Sequence, residues 1–81
     1  MNADQMKLRI ESLAPGTEAF VMDSRGDGYH FEVVVVSPSF QGKPSVQRKI
    51  QVQALFKPEF DSGEVHALTL KTFTPEEYKN L

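Results

Sequence analysis

The chain contains no cysteine and only two histidines among its 81 residues. The missing cysteine excludes a disulfide framework, a thiolate nucleophile and an all-cysteine metal site built from this chain alone. A surplus of positive charge is missing too. Nine Lys+Arg stand against eleven Asp+Glu, for a net charge of −2, which offers a phosphate backbone no overall attraction. No apolar run exceeds the four residues of Val33-Val34-Val35-Val36, far short of the roughly 20 that a membrane span needs. The opening Met1-Asn2-Ala3-Asp4-Gln5 is not the basic and then apolar start of a secretory signal. A cytoplasmic protein is the default expectation, with a mitochondrial location left open for a eukaryotic source.

What is present is the composition of an ordinary globular protein, 40% hydrophobic and 25% charged. Residues 1–81 read as a single domain, without repeats, low-complexity segments or linkers. A chain of this length buries only about 60% of its unfolded surface, so its core is small.

A helix is predicted over residues 3–13, where Met6, Ile10 and Leu13 share a face. Asn2 and Gln5 form its capping box, and Pro15-Gly16 ends it. Glu18 to Asp23 reads as a strand and Ser24 to Gly28 as a turn. His30 to Ser37 is the strongest strand, with valines on both faces as suits a central position. After Pro38 and a loop through Lys43, Pro44 suits a first helical position, with Val46, Ile50 and Ala54 on one face of a helix ending before Pro58. Glu64 to Phe73 reads as a third strand. Thr74-Pro75-Glu76-Glu77 matches a capping box opening a short terminal helix. The order is α-β-β-α-β-α. The crossover of more than twenty residues between strands two and three predicts that they are parallel neighbours. The expected fold class is α+β, a three-stranded mixed sheet with helices on one face.

Taken together, His30-Phe31-Glu32-Val33-Val34-Val35-Val36-Ser37, Phe40-Gln41-Gly42-Lys43, Val46-Gln47-Arg48 and the run from Val65 to Glu77 resemble the BolA family across nearly the whole chain. The resemblance implies a fold related to the class II KH domain and a role in iron–sulfur trafficking or iron sensing with monothiol glutaredoxins. It implies His66 as a cluster ligand. For the second ligand, which that family draws as His or Cys from the loop between the first two strands, His30 is the best match. The sequence departs from cysteine-bearing members in having no cysteine in that loop.

Without the resemblance, His66 shares strand parity with Leu68 and Leu70 and reads as a partly buried core histidine, with His30 a solvated strand-opening residue. Topology alters the balance. Each histidine opens one of two parallel neighbours, so both lie at one end of the sheet, on strands about 4.8 Å apart. Two histidines can replace two cysteines on one iron of a 2Fe-2S cluster. This chain thus offers half a site, and the family reading supplies the rest from a glutaredoxin cysteine and glutathione, with no cofactor in the isolated protein.

Lys71, Phe73, Arg48 and Lys43 are the candidates for a partner-binding surface, although Arg48 and Lys49 also read as a solvated helix face. Phe40, Phe60, Phe73 and Tyr78 read mainly as structural aromatics. Nucleic acid is the alternative partner, suggested by the KH-like fold. The five glycines never fall three apart, so the Gly-x-x-Gly grip of KH domains is missing. No nucleophile–base pair or nucleotide-binding motif points to an enzyme.

Overall fold

A computed structural model describes residues 1–81. Its elements are α1 (Ala3–Glu11), β1 (Glu18–Asp23), β2 (His30–Val36), a 3₁₀ turn (Pro38–Phe40), α2 (Ser45–Ala54), α3 (Lys57–Ser62), β3 (Ala67–Phe73) and α4 (Pro75–Lys79). The sheet order is β1-β2-β3, with β1 antiparallel and β3 parallel to the central β2. This is the expected mixed α+β sheet. Both capping boxes form: Asn2 with Gln5 opens α1, and Thr74 with Glu77 opens α4. Each satisfies backbone donors that a helix start otherwise leaves free.

The core lies between one sheet face and the first three helices. Phe31, Val33 and Val35 of β2 meet Met6 and Ile10 of α1, Val52 of α2 and Phe56 at the junction of α2 and α3, with Phe60 of α3 packed alongside. The opposite face is largely open. There α4 folds against one end, with the Tyr78 ring 5.9 Å from Phe20 and 5.7 Å from Phe73, so the expectation of helices on one face holds for α1, α2 and α3 and is corrected for α4.

Four more expectations are corrected. Instead of one helix, the crossover holds two, because Pro58 falls in the first turn of α3, where a missing N–H costs nothing. Pro44 caps α2 rather than opening it. Val46 and Ile50 are 66% and 59% exposed, so their shared face points to solvent. The inner face of α2 is Arg48 and Val52. Arg48 is therefore not on a solvated face: its stem is buried, while its guanidinium donates to the Lys43 carbonyl at 2.7 Å and to Glu77 Oε1 at 2.6 Å. Long basic side chains can bury their apolar stems when the head finds such partners.

β1 is an edge strand whose exposed backbone is partly covered. Ala19 N–H donates to Glu11 Oε2 at 3.1 Å, and its carbonyl accepts from Lys7 Nζ at 2.7 Å. Side chains of α1 thus occupy hydrogen-bonding groups that an incoming strand would use.

Candidate functional site

The parallel register places His30 opposite Ala67, so His66 stands beside the start of β2. His66 and Ala67 both donate backbone N–H groups to the Tyr29 carbonyl, at 2.8 and 3.1 Å. Two successive donors on one carbonyl interrupt the in–out alternation. Val65 and Leu70 are buried and Leu68 is half-buried, but His66 is exposed. The reading of His66 as a core histidine is thereby corrected.

The His30 and His66 ring centres are 5.7 Å apart, with the planes near perpendicular at 83°. Tyr29 stacks on His66 with ring centres 4.6 Å apart and an interplanar angle of 19°. On the other side, His30 Nδ1 lies 2.9 Å from Asp27 Oδ2. Asp27 Oδ1 accepts from the backbone N–H groups of Tyr29 at 2.8 Å and His30 at 3.2 Å. The Tyr29 N–H, aided by His30, holds the Asp27 carboxyl below the usual carboxylate range. Asp27 and Tyr29 were not singled out from sequence. Their signal was the spacing, an acidic residue three before His30 and an aromatic directly before it.

The donor set fits half of a metal centre. Two imidazoles on one tetrahedral metal, with metal–nitrogen bonds of about 2.1 Å, place their ring centres about 5 Å apart, close to the observed separation. No third His, Cys, Asp or Glu joins them to complete a site. Any thiolate ligand would have to come from another molecule, since the chain has no cysteine.

A polar hollow of about 320 Å³ beside His30 is lined by Ser24, Arg25, Glu32, Ala67 and Thr69. It shares Glu32 and Thr69 with an apolar groove of about 300 Å³ formed by Phe20, Met22, Val34 and Lys71. Lys71 is thus connected to the histidine end by one open sheet face. The remaining partner-surface candidates are not. Phe73 pairs with Val36 at the far end of the sheet, about 20 Å along the strand from Ala67 at about 3.3 Å per residue, and packs on Tyr78. Arg48 sits at the same far end, tied to Glu77 and, more weakly, to the Thr72 carbonyl. Lys43 reaches Gln51 on α2 at 3.3 Å.

No helix is long and apolar enough to cross a membrane. The sequence profile of the family described as BolA-like protein matches residues 3–77. The chain is similar to BolA-like protein 2 of Saccharomyces cerevisiae, 36% identical over 78 residues that make up 94% of this chain and 63% of the yeast one. It is 41% identical over 56 residues to the DNA-binding transcriptional regulator BolA of Haemophilus influenzae, covering 69% of this chain and 53% of that protein. The chain therefore spans little more than half the length of these two relatives. The structure of BolA1 from Arabidopsis thaliana superposes with a TM-score of 0.82 at 32% identity, over 95% of this chain and 96% of that one.

Proposed function

The chain belongs to the BolA-like family, and from that premise we propose that it is a non-catalytic adaptor for a monothiol glutaredoxin, contributing His66 and His30 to a 2Fe-2S cluster held between the two proteins. The observation that carries this reading is the pair of imidazoles, 5.7 Å apart on adjoining parallel strands, in a chain without a thiolate. The donor set supplies two of the four ligands a 2Fe-2S cluster requires. A glutaredoxin cysteine and glutathione supply the other two. The cluster is cargo here, and bound it would provide a histidine-ligated iron whose reduction potential lies above that of an all-cysteine centre. The chain's own task is to hold the two rings. Tyr29 stacks on one, Asp27 bonds the other, and the β2–β3 hydrogen bonds fix their separation. The open face running from the histidines to Lys71 is the surface offered to the glutaredoxin.

The test is a titration of this protein into a glutathione-loaded, cluster-bearing monothiol glutaredoxin, followed by visible absorption and circular dichroism. A change in the cluster bands that saturates at one equivalent supports the reading. Unchanged bands without association overturn it.

A second reading, a KH-like nucleic-acid-binding transcriptional regulator, draws on the similarity to the Haemophilus DNA-binding regulator. The net charge of −2 and the absence of a Gly-x-x-Gly loop weigh against it. Its signature would be binding to duplex DNA that weakens steeply with added salt.

A further inference from the structure

We propose that Asp27 is a positioning residue that keeps His30 in the tautomer protonated on Nδ1 and so presents Nε2 as the ligand atom. The ligand part of this inference rests on the function proposed above, whereas the tautomer is a property of the chain alone.

The argument begins with what a carboxylate can do. An ionised carboxylate only accepts hydrogen bonds, so an oxygen 2.9 Å from His30 Nδ1 requires the proton to sit on Nδ1. A carboxyl is ionised at neutral pH, and the other oxygen of Asp27, Oδ1, already accepts from the backbone N–H groups of Tyr29 and His30. Both oxygens are therefore acceptors in use, Oδ1 toward the backbone and Oδ2 toward the ring. The turn that folds the carboxylate back over residues 29 and 30 passes through Gly28 at φ +76°, a region open to glycine without penalty. The Asp27 contact is the one side-chain hydrogen bond His30 makes. With Nδ1 occupied, Nε2 is the nitrogen left for a metal. Metal-bound histidines commonly have such a partner on the opposite nitrogen, and its loss typically costs 10–100-fold in metal affinity.

This arrangement makes Asp27→Asn informative. The amide has one acceptor oxygen and one donor nitrogen. If the oxygen keeps the Tyr29 and His30 backbone bonds, the NH₂ group falls opposite His30 Nδ1, which must then accept. The loop is preserved while the proton moves to Nε2, the atom required for ligation.

The experiment uses the 81-residue chain labelled with ¹⁵N and long-range ¹H–¹⁵N histidine spectra, recorded at about pH 8.5, above the ordinary imidazole range. The wild type should show a protonated Nδ1 and an unprotonated Nε2, the reverse should hold in Asp27→Asn, and the backbone amide spectrum should remain that of the folded domain. A wild-type His30 protonated on Nε2 overturns the inference without recourse to any variant. So does an unchanged tautomer in a folded Asp27→Asn chain. In the glutaredoxin titration, Asp27→Asn should weaken cluster sharing by about 10–100-fold, and a wild-type response from this variant overturns the positioning role. If the wild-type chain itself shares no cluster, the proposed function fails instead, and the nitrogen spectra still decide the tautomer.

Discussion

Replacing Phe40 by alanine tests the core assignment at its least obvious member. Phe40 lies in a three-residue 3₁₀ turn behind Pro38, yet its ring is fully buried, with the Arg48 guanidinium 5.7 Å from the ring centre. Burying a phenylalanine ring is worth about 2 kcal/mol. A residual cavity of about 100 Å³ adds about 2 kcal/mol more at about 24 cal/mol per Å³. The expected loss is about 4 kcal/mol, within the range of about 3–5 kcal/mol typical of such truncations. A domain of 81 residues holds a total of about 4–12 kcal/mol, so the variant should stand close to unfolding. The melting temperature should fall by about 15–30 °C, at about 4–8 °C per kcal/mol for this size. Thermal unfolding followed by circular dichroism measures it, with urea unfolding as a check that the m-value is retained. Phe20→Ala is the control, because that ring is 46% exposed and loses mainly its stack on Tyr78, worth about 1 kcal/mol. A loss in Phe40→Ala no larger than in Phe20→Ala would refute the packing described.

Further expectations follow from the corrected α2 face, the Arg48 pair and one helix terminus. Ile50→Gln should change stability by less than about 0.5 kcal/mol, whereas Val52→Ala should cost about 2 kcal/mol, and urea midpoints separate the two. Arg48 holds the Glu77 carboxyl down to about 2 from an ordinary value of 4.5. The stabilisation from this pair is therefore full above about pH 4.5 and lost as pH falls toward 2. Glu77→Gln should flatten that part of the melting-temperature curve, and an unchanged acid slope would contradict the pairing. Gly63 ends α3 at φ +81°, with open space where a Cβ would stand. Gly63→Ala should therefore cost only the left-handed backbone strain of about 1–2 kcal/mol, read from denaturant midpoints.

The parts of the fold legible from sequence were those set by neighbours along the chain. Asn2 with Gln5 and Thr74 with Glu77 announce helix starts within four residues, and the valines of β2 announce a central strand. The same-end placement of His30 and His66 was legible because a long crossover enforces parallel pairing, which the register bears out. The α2 face was misread because its inner position is filled by Arg48, whose burial depends on Glu77, 29 residues away. Periodicity scores Val46 and Ile50 as core and Arg48 as surface, and nothing local says otherwise. The orientation of His66 depended on a second break of this kind, two N–H groups meeting at the Tyr29 carbonyl, which strand alternation cannot anticipate.

The central claim is that imidazole nitrogens of this chain ligate a shared cluster, and pulsed electron paramagnetic resonance addresses it most directly. The protein, labelled with ¹⁵N in its two histidines, would be mixed with the cluster-bearing glutaredoxin and the cluster reduced. Two strong ¹⁵N couplings should appear, one of them lost in His66→Ala and the other in His30→Ala. A reduced cluster in the complex without any histidine ¹⁵N coupling would contradict the account.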